Sequence, residues 1–257
     1  MNLSGKNVVY FGGFGGIGQK CVQELLQRKI KSLAIFDLTE NRQVLDEWKS
    51  KNPNTDIFYQ KVDITQKSDI EAAYKATVER LGHFDVVVNG SGLMNDRLIE
   101  LTIQINLLGV VYSCLTALEY MDKTKGGKGG LILNISSIAG LQPTSTMAIY
   151  SATKTGVTTF TRALAHPSYY DRSGVGFITV CPGFTKTGLL DDIGNKTTFD
   201  YQPPMMASKI KKQTPEQCAR SLVRAIETYK NGAVLLLELG ETHEVNIPSH
   251  WKPQFED

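Results

Sequence analysis

Asn106, Ser137, Tyr150 and Lys154 are the residues whose types and spacing can do chemistry, the last two forming Tyr-x-x-x-Lys. On a helix, positions four apart share a face, so the Lys154 ammonium can lie beneath the Tyr150 phenol and favour its ionised form. A free tyrosine titrates near ~10. Taking a proton from an alcohol near neutral pH therefore needs such help, while a serine hydroxyl holds the substrate oxygen. The pair alone is weak evidence and reads more readily as a half-exposed tyrosine beside a solvated lysine; only its surroundings separate the two. Ser136 is an alternative to Ser137, although neighbours on a strand point to opposite sides.

Those residues need a frame. Short apolar runs recur at 7–11, 32–38, 57–62, 85–88, 131–135, 176–180 and 233–239. They are continuous rather than alternating, which is how strands of a parallel sheet covered on both faces read. Helical periodicity is expected over 17–27, 67–81, 99–121, 149–165 and 215–229, the last behind Thr214 with Gln217 three residues on, a capping-box pattern. Strand and helix alternating in this way predict an α/β chain: a doubly wound Rossmann fold whose seven-stranded parallel sheet is flanked by helices. No linker divides it, so 1–257 reads as one domain, with 1–98 mainly cofactor-binding, 99–183 catalytic and 184–213 a substrate loop.

The first strand runs into Gly12-Gly13-Phe14-Gly15-Gly16-Ile17-Gly18, followed by a helical pattern. Glycines there let the backbone turn tightly and approach a pyrophosphate, whose charge then meets a helix N-terminus. Asp37 ends the second strand, where its carboxylate can accept hydrogen bonds from adenosine ribose hydroxyls and would repel a ribose phosphate; Leu38 beside it supplies no cation. NAD is therefore expected over NADP. Asp63 and Ile64 follow the third strand, Gly90, Ser91 and Gly92 the fourth, Ser136 and Ser137 the fifth, and Pro182, Gly183, Phe184 and Thr185 the sixth. All fall at carboxyl ends, the edge where open α/β sheets bind ligands.

Composition excludes several other classes. The 28 basic and 26 acidic residues leave a net charge of +2, so nucleic acid is not an expected partner, and Lys209, Lys211 and Lys212 read as a solvated face. Cys21, Cys114, Cys181 and Cys218 are dispersed like reduced core thiols, and His83, His166, His243 and His250 lack ligand spacing, so no metal is expected. Neither a secretory leader nor a membrane span is indicated, and a cytoplasmic protein is expected.

With the glycine-rich loop, Asp63, Asn89-Gly90-Ser91-Gly92, Asn106, Ser137, Tyr150 with Lys154, and Pro182-Gly183 in view, the chain resembles the short-chain dehydrogenase/reductases over nearly its whole length. Within them it is most similar to the insect-type alcohol dehydrogenases, through Gly5-Lys6-Asn7-Val8-Val9, the glycines of 126–130, Glu216-Gln217-Cys218, Asn231-Gly232-Ala233 and the tail His250-Trp251. The stretch 120–140 and Cys181-Pro182-Gly183-Phe184 also resemble 15-hydroxyprostaglandin dehydrogenases. Two positions depart from the wider pattern: Phe11 stands where a threonine is common, and Gly90 and Ser91 replace an asparagine and an alanine.

The resemblance implies roles. Tyr150 is the expected base, and Ser137 the donor to the substrate oxygen. Lys154 binds the nicotinamide ribose and lowers the tyrosine pKa. Asn106 holds a water linking Lys154 to solvent, and Thr185 and Thr187 meet the nicotinamide carboxamide and the diphosphate. The implied reaction is oxidation of a secondary or hydrophobic alcohol to the ketone or aldehyde with NAD, in a homodimer. A larger lipid alcohol (prostaglandin, retinoid or terpenol) is an alternative substrate, and a non-catalytic binding or storage relative an alternative function. Phe184, Leu189, Leu190, Ile193, Met205 and Met206 are expected to form an apolar pocket, or equally a lid packing on the core.

Overall fold

A computed structural model describes residues 1–200 and 210–248. Strands β1 (Asn7–Phe11), β2 (Ser32–Asp37), β3 (Asp56–Lys61), β4 (Val86–Asn89), β5 (Gly130–Ile135), β6 (Val175–Pro182), β7 (Val234–Glu238) and β8 (Glu241–Glu244) form one sheet in the order β3-β2-β1-β4-β5-β6-β7-β8. The first seven pair in parallel, as the continuous apolar runs predict, and β8 turns back antiparallel on β7. β8 was not expected. All four of its residues are exposed, so it has no hydrophobic pattern to read; its backbone pairing with β7 creates it.

Helices α1 (Gly16–Gln27), α2 (Arg42–Lys51), α3 (Lys67–Leu81), α4 (Ile99–Ile103), α5 (Gly109–Met121), α6 (Ala148–Leu164), α7 (Pro167–Ser173) and α8 (Pro215–Thr228) cover both faces. Side chains alternate across the sheet: Val8 and Tyr10 join the core of α1 and α8, through Cys21, Val22, Leu25, Leu222 and Val223. Val9 and Phe11 join the opposite core, through Ile70 and Tyr74 of α3, Val110 and Cys114 of α5, and Val157 of α6. Burying each such side chain contributes about 1.5–3 kcal/mol. The capping box at α8 is present, Gln217 N donating to Thr214 Oγ1 at 3.2 Å and Thr214 N to Gln217 Oε1 at 2.9 Å.

Two helices lay outside the sequence expectation. α2 buries only Leu45 and Trp48 and starts at Asn41, whose side chain accepts from Val44 N. α7 is a single short element between Pro167 and the left-handed Gly174. The expected continuous helix over 99–121 is interrupted by a π-helical turn, Gln104–Leu108, between α4 and α5. By length and composition Ile99–Met121 is apolar enough to cross a membrane; in this fold Val110, Cys114, Ala117 and Met121 face the core.

Strand order reverses between β1 and β4, so the loops after these strands open a crevice at the carboxyl edge, with Phe11 and Asn89 level in register.

Candidate active site

A cleft of about 1310 Å³ runs along that edge. Its first half is backbone. Gly12 turns at φ +78°, and a Cβ there would lie 2.8 Å from Ser91 N. A Cβ on Gly18 would meet the Gly12 carbonyl oxygen, and one on Gly90 would come 2.9 Å from Phe11 O. The two loops therefore touch through main chain alone, with α1 beginning at Gly16. This cradle, narrow and opening on a helix N-terminus, fits a dinucleotide diphosphate.

Asp37 closes the same half. Its Oδ2 accepts from Phe14 N at 3.0 Å and its Oδ1 from Leu38 N at 2.9 Å, so one carboxylate both holds the glycine loop and borders the cleft. Phe14 stacks on Trp48 with centroids 5.7 Å apart, which ties the loop to α2. Asp63 lies just beyond β3 and accepts from Thr65 N (2.9 Å) and Thr65 Oγ1 (2.7 Å), while Ile64 beside it also lines the cleft. Ile17, Gly90, Ser91, Gly92, Pro182 and Gly183 complete the lining. Thr187 lies against Gly16, within 2.9 Å of where a Cβ would stand, and so at the start of α1. Thr185 is spent elsewhere: its hydroxyl donates to Gly183 O at 3.0 Å and accepts from Gln213 Nε2 at 3.1 Å, closing the neck of the loop that leaves β6.

The second half carries the titratable groups. Ser136 donates to Lys154 O at 2.8 Å and accepts from Thr158 Oγ1 at 2.9 Å, committed to α6. Ser137 Oγ accepts from Ala139 N at 3.1 Å and lies on the Tyr150 side, where it favours the ionised phenol. Both Tyr150 and Lys154 are buried, and Lys154 Nζ donates to Ile135 O at 3.0 Å, lying 5.7 Å from the Tyr150 ring centroid. The expected lowering of the tyrosine pKa is absent in the protein alone. Burial pushes Tyr150 up to about 12, against which the Ser137 hydrogen bond works, and the neighbouring Cys181 adds to the rise. Burial also pulls Lys154 down to about 8. The ammonium is aimed at a carbonyl instead of the phenol, so desolvation outweighs it.

Asn106 lies behind the cleft wall rather than in it. The π turn carries its side chain inward, where Oδ1 accepts from Leu93 N at 2.8 Å and Nδ2 donates to Leu93 O (2.7 Å) and Thr153 Oγ1 (3.2 Å). Both polar atoms of that side chain thus bind the loop after β4 to α6. A Cβ on Gly92 would lie 3.6 Å from both Asn106 Oδ1 and Lys154 Nζ.

Around Tyr150 the wall turns apolar. Phe184, Leu189, Leu190 and Ile193 line the cleft as expected, and Met205 and Met206 lie outside the described residues. Sequence reasoning missed Met94 and Met147, which pack with Ala139 and Tyr150 from two further loops. It also missed Phe14, whose place inside the glycine run was the available signal.

Residues 6–198 match the sequence profile of the family described as short chain dehydrogenase. The chain belongs to that family. Short-chain dehydrogenases are oxidoreductases that use a nicotinamide cofactor, NAD or NADP. This short-chain dehydrogenase is 39% identical to alcohol dehydrogenase 1 of Ceratitis capitata over 257 residues, 99% of this chain and all of that one. It is 37% identical to alcohol dehydrogenase 2 of Ceratitis cosyra over the same shares. Its fold matches the crystal structure of a levodione reductase with a TM-score of 0.78 at 22% identity, covering 93% of this chain and 98% of that one.

Proposed function

We propose that this protein is an NAD-dependent alcohol dehydrogenase, oxidising a secondary or otherwise hydrophobic alcohol to its ketone or aldehyde without metal. The observation that carries this reading is the convergence of Ser137, Tyr150 and Lys154 at the apolar end of a cleft whose other end is a glycine cradle. In it, residues 1–98 mainly hold the cofactor, 99–183 carry the catalytic groups and 184–213 cover the substrate.

The nicotinamide ring supplies hydride acceptance when bound. Ser137 holds the substrate oxygen beside the Tyr150 phenol, and Tyr150 takes the hydroxyl proton as general base. Lys154, charged below about 8, bonds the nicotinamide ribose and favours the phenolate. Because burial holds the phenol near 12 with Lys154 already in place, its ionised form would depend on the further positive charge that an oxidised nicotinamide brings. Orientation is the protein's main contribution.

Asp37 supports NAD over NADP. Its carboxylate borders the glycine-loop end of the cleft and would repel a ribose phosphate there, and Arg42, which borders the same end, is largely exposed and turned to Asp46 at 4.0 Å. The similarity to the two Ceratitis alcohol dehydrogenases supports an alcohol as substrate, and Met94, Met147, Leu190 and Ile193 around Tyr150 support an apolar one. A homodimer is part of the proposal: Leu101, Leu108 and Leu115 stand exposed along α4, the π turn and α5.

Tyr150→Phe tests the mechanism. Turnover followed by NADH absorbance should fall at least ~100-fold, the scale of general base catalysis, with NAD binding retained. Turnover within a few-fold of the parent protein would sink it.

A further inference from the structure

Helix α6 begins without a cap of its own. The first N–H groups of a helix have no intrahelical partner, and Met147, at the N-cap position, offers no side-chain acceptor; its thioether packs beside Tyr150 in the apolar wall instead. Acceptors come from two distant loops. Ala148 N donates to Thr198 Oγ1 at 2.9 Å, Ile149 N to Asp96 Oδ2 at 2.8 Å, and Tyr150 N to Asp96 Oδ1 at 2.9 Å. Thr198 Oγ1 in turn donates to Asp96 Oδ2 at 2.6 Å.

Asp96 is 3% exposed, and among the described residues no lysine, arginine or histidine pairs with it; adjacent Arg97 turns away to Asp200 at 2.6 Å. Its charge faces the positive end of α6. The two loops are stitched further, by Asp96 N to Lys196 O (2.8 Å) and Thr198 N to Thr146 O (2.9 Å). One buried carboxylate therefore joins three parts of the site: the loop that carries Gly90–Gly92 from β4, the turn that carries Tyr150, and the segment that carries Leu190 and Ile193.

We propose that Asp96 is a positioning residue for Tyr150, and that through Thr198 it makes the placement of the phenol depend on the substrate loop. A misplacement of about 1 Å in a reacting group can cost ~100-fold in rate. Tyr150 N is held directly, so a shift of the first turn moves the phenol with it. An ordinary N-cap at position 147 would stabilise the helix equally well but would leave the turn insensitive to the loop.

The inference rests on the dehydrogenase reading above, and Thr198 separates the two. Thr198→Val removes the hydroxyl bridge, whereas Thr198→Ser keeps it. In the full-length chain, Thr198→Val should lower kcat about 10-fold while its Kd for NADH, read by fluorescence titration, stays within about twofold; Thr198→Ser should restore kcat. Asp96→Asn, which keeps the shape but puts an amide N–H against backbone N–H groups, should lower kcat about 100-fold. Combining it with Thr198→Val should add little, as expected for two residues of one network. If Asp96→Asn does not fold, the Thr198 pair decides alone. A Thr198→Val enzyme with parental kcat, or a Thr198→Ser enzyme as impaired as the valine variant, overturns the inference. An active Tyr150→Phe enzyme overturns the reading beneath it; an inactive Tyr150→Phe beside an unimpaired Thr198→Val overturns only the positioning role.

Discussion

Gly18→Ala puts the cradle to a quantitative test. The added methyl would fall on the Gly12 carbonyl oxygen and stand 3.1 Å from the Gly13 Cα and carbonyl carbon, all main-chain atoms that no rotamer change can clear. Gly12 has no room to retreat, since its own α-carbon faces Ser91 N so closely that even a Cβ would come within 2.8 Å of it. Helix α1 must therefore move outward by about 1 Å, against the packing of Cys21, Val22, Leu25 and Leu26 on α8. Strain of that kind costs about 1–3 kcal/mol, and with 1.4 kcal/mol per decade it corresponds to about a 5- to 150-fold weaker cofactor. The assay is NADH fluorescence titration, with thermal unfolding in parallel. Gly82→Ala is the control: at φ +79° beyond α3, with open space around it, it should lower Tm and leave cofactor affinity alone. Binding of NADH by Gly18→Ala within twofold of the parent would refute the cradle.

Other consequences can be measured. Burial holds Lys154 at about 8, against 10.5 when exposed. The unfolded chain thus keeps this proton over a range where the folded one has released it, so on this account stability rises with pH between those values and the burden is complete below about 8. Relative to Lys154→Met, wild-type Tm should therefore gain between about pH 7 and about pH 9.5; a constant difference would contradict the buried ammonium. Asp37→Asn keeps the shape of the carboxylate and removes its charge, so the NADP-to-NAD ratio of kcat/KM should rise at least ~10-fold, given charge-assisted bonds of about 1.5–3 kcal/mol. A ratio changed by less than about threefold would remove Asp37 as the selector. Leu108→Glu with Leu115→Glu should convert a dimer to monomer in light scattering; a monomeric parent protein would dispose of the pairing.

Parallel strands were legible because each is buried on both faces, and a run such as Val-Val-Tyr-Phe after Asn7 admits little else. α3 and α8 were legible through their period, the latter through Thr214 and Gln217 as well. α2 was not, since Leu45 and Trp48 alone make its buried face. The π turn depends on Asn106 reaching Leu93, a contact that local spacing does not encode. In the site, main-chain positions such as Gly12, Gly18 and Gly90 were readable because close approach demands glycine. The choice of Ser137 over Ser136 rests on α6 capturing the latter, and the methionine wall on two loops brought together by the fold. The tyrosine pKa went the other way because spacing reports proximity to Lys154 and says nothing of the water excluded from both.

The reversed strand at the end of the sheet has a consequence for how this protein behaves at high concentration. Had β7 been outermost, Leu235 and Leu236 would have bordered an open ladder of amides and carbonyls, a template for any passing strand. β8 covers that ladder and offers in its place four solvent-facing residues, Glu241, Thr242, His243 and Glu244, two of them carboxylates. A second molecule approaching edge to edge meets solvated charged side chains, Glu244 beside Lys230 and Glu241 beside His243, so this short strand serves as a gatekeeper against sheet-to-sheet aggregation.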